Sequence, residues 1–165
     1  MDPAQVVDML NAFFTQMVDL VFEHQGTLDK FLGDALMVEF GVPMEIPEAA
    51  VKAVECARAM HRRLKEMQAQ GQTPIQGMRI GINTGEAIVG NIGSDKRMDF
   101  TVVGDVVNVA SRLLEFAKEQ EAEIVIGEGT YREVAGKFSL IPCPEVVLRG
   151  RQESSSVYRV LVDHP

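Results

Sequence analysis

Apolar residues near the start of the chain recur at Val6, Val7, Leu10, Phe13, Phe14, Met17, Val18, Val21 and Phe22. Steps of three and four keep one face of a helix apolar, so the spacing predicts an amphipathic helix with a broad buried face. Asp2 supplies an N-cap, and Pro3 a first helical residue whose missing N–H is no loss. Gly26 supplies the stop. The period then changes. Thr27 to Phe31 and Ala35 to Phe40 read as two strands of a hairpin, turned by Leu32-Gly33-Asp34. After a loop bracketed by Pro43 and Pro47, helical spacing returns from Glu48 to about Gln70. Ala50, Val51, Val54, Ala57, Met60, Leu64 and Met67 lie on its inner side. Beyond a connector at Gly71 to Pro74, Met78 to Asn83 and Ala87 to Val89 read as one interrupted strand. Asn91 to Ser94 reads as a loop, Phe100 to Val103 as a short strand and Asp105 to Lys118 as a helix. Ile124 to Ile126 is a further strand, Glu128 to Ala135 a short helix, and the tail from Phe138 more strand.

That order predicts an α+β fold, with helices packed on an antiparallel-rich sheet. It also lacks one piece of a ferredoxin-like β-α-β-β-α-β unit, which needs a strand before its first helix. In that topology the missing strand is central, and its neighbours' N–H and C=O groups need partners. The expectation is one domain over residues 1–165 without its first strand.

Composition narrows the function. The chain has 165 residues, 46% of them hydrophobic and 24% charged, the balance of a soluble globular domain. Its net charge is −8 and its basic residues are scattered, which argues against nucleic acid as a partner. No apolar run is long enough to span a bilayer, and Met-Asp-Pro does not open a signal peptide. Cys56 and Cys143 stand outside any metal-ligand spacing and read as two reduced thiols of a cytoplasmic protein. His24, His61 and His164 likewise have no metal spacing and read as incidental.

Three segments carry candidate chemistry: Gly26-Thr27-Leu28-Asp29-Lys30-Phe31-Leu32-Gly33-Asp34-Ala35, Arg79-Ile80-Gly81-Ile82-Asn83-Thr84-Gly85-Glu86, and Arg97 to Leu113 with its core Thr101-Val102-Val103-Gly104-Asp105-Val106-Val107-Asn108-Val109-Ala110-Ser111-Arg112. Asn108 and Arg112 stand at i and i+4 of a helix and share a face. An amide and a guanidinium placed so can grip a ribose and a phosphate together. Asp34 sits at a hairpin turn, where a carboxylate can hold Mg²⁺ and stay open to substrate. Lys30 points out of the preceding strand near the same end. Taken singly, each is as well read as an ordinary helix start, turn aspartate or surface lysine.

Taken together, the three segments resemble the catalytic domains of class III adenylyl and guanylyl cyclases, from about Pro3 to the C-terminus. The resemblance implies a ferredoxin-like cyclase fold and assigns roles. Asp34 matches the second of two aspartates that hold a pair of Mg²⁺ or Mn²⁺ ions. Lys30 and Thr101 match the two purine-reading positions, Asn108 the ribose-orienting amide and Arg112 the transition-state arginine. Arg151 matches a basic residue at the terminal phosphates, through a segment short enough to shift onto Arg149. A lysine only donates and a threonine hydroxyl can accept, which complements adenine better than guanine. The resemblance therefore implies ATP as substrate, 3′,5′-cyclic AMP and pyrophosphate as products, and a head-to-tail homodimer whose sites draw on both copies. Alternatives are a guanylyl cyclase, or a dimerisation and nucleotide-binding regulatory module without turnover.

The family's first metal aspartate lies on the strand before the first helix, and no such segment precedes Pro3. The sequence begins inside the domain, the domain is catalytically dead, or a partner lends a strand. The intact remaining set favours the first. The expectation is a chain that binds two metals poorly and turns over slowly or not at all, tethered to regulatory domains in the full protein.

Overall fold

Helix α1 spans Pro3–Glu23 and begins as its sequence dictates. The Asp2 carboxylate accepts from the Gln5 backbone N–H at 2.9 Å, and the Gln5 side chain accepts from the Asp2 N–H at 3.0 Å. This capping box satisfies two N–H groups that the first turn leaves over. The helix packs on α2, Ala49–Ala69, through a stripe of Phe13, Met17, Leu20 and Val21. The stripe is narrower than the sequence pattern suggests: Val7 is 54% exposed and Phe22 60% exposed, because both lie on the flanks of the row that meets α2. The inner row of α2 is as expected, with Ala50, Val51, Val54, Ala57, Met60, Leu64 and Met67 all buried. His61 joins them at 3% exposure, so it belongs to the packing. Each of the larger side chains contributes about 1.5–3 kcal/mol by leaving water. Between the helices runs the hairpin of β1, Thr27–Leu32, and β2, Ala35–Glu39, a two-stranded antiparallel sheet of its own. These elements make up a compact unit, Met1–Met78.

A second unit, Arg79–Pro165, contains β3 (Ile80–Ile82), β4 (Ile88–Ser94), β5 (Arg97–Val103), α3 (Asp105–Glu119), β6 (Ile124–Gly127), α4 (Glu128–Val134), β7 (Leu140–Pro142) and β8 (Val157–Val160). A four-stranded sheet runs in the order β3-β6-β8-β7. Its β3–β6 pair is parallel, and the β6–β8 and β7–β8 pairs are antiparallel. Helix α3 lies on β3 and β6. Leu113 and Ala117 of that helix pack with Ala122, Val125, Leu148 and Val157 in a buried cluster. Stacked rings of Tyr131 and Tyr158, 3.9 Å apart and 3° from parallel, join α4 to β8.

The sequence pattern misreads one stretch. Asn91 to Ser94 is not a loop: β4 continues through Ser94 and pairs with β5 from Arg97 to Val103 in a separate antiparallel ribbon. Polar and glycine residues are tolerated there because both faces of the ribbon are largely exposed. Likewise, β3 and β4 are not one interrupted strand but belong to different sheets.

This architecture belongs to a computed structural model, which describes residues 1–144 and 146–163. His164 lies outside the described residues.

Candidate functional site

The hairpin of the first unit carries Lys30 and Asp34. Gly33 and Asp34 make the turn, and Gly33 takes φ 64°, a value that costs a side-chain-bearing residue roughly 1–2 kcal/mol. Asp34 is exposed at the tip. Further down, the strand pairing shifts between Leu28, opposite Val38, and Lys30, opposite Met37, leaving Asp29 as the extra residue of a bulge. Strict alternation would send Asp29 and Lys30 to opposite faces; an extra residue breaks the alternation and re-aims side chains. Lys30 Nζ stands 3.7 Å from Asp29 Oδ1, with the Asp29 side chain 4% exposed and the Lys30 side chain 43% exposed.

Beside them stands Glu39, the last residue of β2, hydrogen-bonded to Asp29. Burial, then the Asp29 hydrogen bond and charge, push the Glu39 carboxyl up to about 8, against a smaller opposite pull from Lys30. At neutral pH the Glu39 O–H therefore donates to Asp29. Its other oxygen, Oε1, is buried with no hydrogen-bond partner among the described residues. Neither Asp29 nor Glu39 was singled out from the sequence. The available signal was an acidic residue closing the apolar run Ala35-Leu36-Met37-Val38.

The second unit carries Thr101, Asn108, Arg112 and Arg151. Thr101 lies on β5 opposite Gly90, on the ribbon. Asn108 and Arg112 lie on α3, opposite the core-facing Leu113 and Ala117. The helix is seated closely on the sheet at Gly81, where an added Cβ would meet Leu114 N at 2.5 Å and Ala110 O at 2.7 Å. Only a residue without a side chain lets the backbone of α3 approach β3 so far. Asn83 fixes the first turn, its amide donating to the Val106 carbonyl at 3.2 Å. Thr84 and Thr130 share a hydroxyl hydrogen bond at 2.8 Å. The Arg79-to-Glu86 segment therefore seats both helices, α3 through Gly81 and Asn83 and α4 through Thr84.

The Leu148-to-Arg151 segment runs past this helix. Gly150 lies beside the Arg112 guanidinium, 3.6 Å from Nη2 to an ideal Cβ. Arg112 also pairs with Glu115 at 3.5 Å. Arg151 donates to Asp105 Oδ2 at 3.0 Å, at the first turn of α3. Arg112 and Arg151 are thus gathered along one helix, each held by an exposed carboxylate of the kind that contributes little to stability. Asn108, Arg112 and Arg151 belong to one unit, and Lys30 and Asp34 to the other.

A divalent metal would find Asp34 as an open carboxylate. Among the described residues no group of three or more His, Cys, Asp or Glu side chains is gathered to hold an ion. Mg²⁺ commonly takes one or two carboxylates together with substrate phosphates, so the donor set fits a metal brought to Asp34 with a nucleotide, not an all-protein cage. Both cysteines are free, and burial pushes the Cys56 thiol up to about 12. No helix among the described residues is long and apolar enough to cross a membrane.

Known proteins resemble this chain along nearly its whole length. The family described as the adenylate and guanylate cyclase catalytic domain matches residues 1–161. Adenylate cyclase 1 of Rhizobium meliloti is 30% identical over 162 residues, covering 96% of this chain and 24% of that protein. Among solved structures, the adenylyl cyclase CyaB from Pseudomonas aeruginosa superposes with a TM-score of 0.86 at 34% identity, over 98% of this chain and 84% of that one. The guanylyl cyclase Cya2 superposes with a TM-score of 0.83 at 32% identity, over 97% and 82%. The chain spans about a fifth, 22%, of the curated relatives that it matches at 37–40% identity.

Proposed function

The chain belongs to the adenylate and guanylate cyclase catalytic domains, and from that premise we propose that it acts on ATP, forming 3′,5′-cyclic AMP and pyrophosphate. What supports the choice of base is the residue pair, Lys30 and Thr101, that the family resemblance assigns to the purine-reading positions. Lys30 offers only donors, for adenine N1, and the Thr101 hydroxyl can accept from the 6-amino group. Guanine presents a donor at N1 and an acceptor at O6, so it would leave polar groups mismatched. Similarity alone does not choose, since an adenylyl and a guanylyl cyclase structure are about equally close.

In this proposal Asn108 orients the ribose so that its 3′-oxygen lines up with the α-phosphorus. Arg112 neutralises charge that develops at the α-phosphoryl group. Arg151 leaves Asp105 for the terminal phosphates. Mg²⁺ or Mn²⁺, held by Asp34 with the phosphates, would supply Lewis-acid polarisation and a more acidic 3′-hydroxyl when bound.

We also propose a head-to-tail homodimer. The β4–β5 ribbon supports it, exposing Ile88 at 71%, Ile92 at 46%, Met98 at 55% and Phe100 at 51%. A two-stranded ribbon is marginal alone, and apolar surface of this kind marks an interaction site. The occupant proposed is a second copy, because the family resemblance assigns the metal aspartate of one copy and the ribose and phosphate residues of the other to one site. The reading includes a cytoplasmic location, where ATP is available, and regulatory domains elsewhere in the full protein.

The test is turnover with Mn²⁺ and either ATP or GTP, with the product identified by mass. Cyclic AMP formation that disappears in Asp34→Ala and in Arg112→Ala is the expected result. Nucleotide binding without any turnover would favour a regulatory module, and a preference for GTP a guanylyl cyclase.

A further inference from the structure

We propose that the Asp29–Glu39 carboxyl pair is a positioning device, which sets where the Lys30 ammonium stands and so sharpens the choice between adenine and guanine. The inference rests on the reading of Lys30 as a base-reading residue, and extends it to two side chains that touch no substrate.

The extra residue at position 29 lets the Asp29 carboxylate lie beside its own neighbour, 3.7 Å from the Lys30 ammonium. At that distance the attraction is an ion pair without a direct hydrogen bond. The Asp29 charge therefore steers Lys30, a donor that in this reading reaches toward a base. A lysine on four rotatable bonds needs such steering, because its freedom otherwise dilutes any one position.

Glu39 acts one step behind. Losing the Glu39 donor would leave more of the Asp29 carboxylate's accepting capacity to the ammonium. The Glu39 O–H donates to Asp29 and takes up part of its accepting capacity. The burial of Glu39 and its raised affinity for a proton keep that donor in place at neutral pH. The cost is visible in Glu39 Oε1, which is buried without a partner among the described residues. Leaving such an atom unsatisfied destabilises a fold. A residue serving only the packing of β2 could be apolar at no such cost, as its neighbours Leu36, Met37 and Val38 are.

The experiment measures dissociation constants of ATP and GTP by calorimetry on the whole chain, with melting temperatures beside them. Lys30→Ala is the reference and should bring the ATP-to-GTP preference down toward one. Asp29→Asn keeps the shape and removes the charge; Glu39→Leu removes the donor. Each should lower the preference by roughly tenfold, the size of one charge-assisted contact. Glu39→Gln restores a donor and should restore the preference to within about twofold. A packing role would not distinguish Gln from Leu in this way. Should Glu39→Leu fail to fold, Asp29→Asn and Glu39→Gln decide. If Lys30→Ala abolishes the preference while Asp29→Asn and Glu39→Leu keep it, the positioning role is wrong and the base-reading role stands. If Lys30→Ala leaves the preference intact, the base-reading role falls and takes this inference with it.

Discussion

The hairpin and helix α3 both present cations to solution, and they hold them by opposite means. On α3 the geometry comes from the backbone: Gly81 lets the helix settle onto β3, Asn83 ties its first turn, and Arg112 and Arg151 meet exposed carboxylates. At the hairpin a single bulge brings a buried carboxyl pair against one lysine. A scaffold of close contacts fixes where a side chain starts, which suits a residue that must meet charge developing during reaction. A buried electrostatic partner fixes where a side chain ends, which suits discrimination between two bases.

The comparison can be broken at α3 first. Arg112→Ala is expected to reduce the rate of cyclic AMP formation by about 10²–10³-fold, with ATP affinity changed far less. A steady-state titration separates the two, and a pure rise in KM would assign Arg112 to ground-state binding instead.

Next, two glycines set backbone contact against backbone angle. Gly81→Ala places a Cβ 2.5 Å from Leu114 N and is expected to cost about 1–3 kcal/mol or more, since the atoms it meets are backbone. Gly33→Ala meets nothing within 4 Å and costs only its φ of 64°, about 1–2 kcal/mol. Denaturant titration of both should rank Gly81→Ala as the more destabilised.

A third comparison uses pH. The Glu39 carboxyl is raised from 4.5 to about 8 in the fold. Above 4.5 an unfolded Glu39 gives up its proton while the folded one keeps it, so this residue's contribution to stability falls as pH rises toward 8. Glu39→Gln removes the titration. Its stability relative to wild type should therefore improve between pH 5 and pH 8, by denaturant titration at both. No change between the two would show that Glu39 titrates normally.

The smallest effect concerns the thiols. Cys56, 2% exposed and raised to about 12, should resist alkylation in the native state, while the half-buried Cys143 reacts first. Peptide mapping after brief iodoacetamide treatment gives the order.

Most of this organisation was legible in the sequence because it rests on local rules. The capping box at Asp2, the inner row of α2 and the Gly33 turn follow from spacing and side-chain chemistry. The family motifs singled out Lys30, Asp34, Thr101, Asn108 and Arg112, whose roles are the proposal that the variants test. What escaped was set by tertiary context. The extension of β4 through Ser94 depends on pairing with β5, which outweighs the turn-like look of Asn91-Ile92-Gly93-Ser94. The partnership of Asp29 with Lys30 depends on a bulge, and bulges break the alternation from which faces are read. Glu39 looked like an ordinary strand end, because nothing local announces that its carboxyl is buried against Asp29. The Arg79-to-Glu86 segment stood out as a motif, yet its described contacts seat α3 and α4.

The central claim is that residues from two copies of this chain serve one nucleotide. Its most direct test mixes two variants, Asp34→Ala and Arg112→Ala, each expected to be inactive, and measures cyclic AMP formation with Mn²⁺. Random pairing makes half the dimers mixed, each with one intact site of two, so the account predicts about a quarter of the wild-type rate. A mixture no more active than either variant, beside a wild-type chain that does turn over, would contradict it.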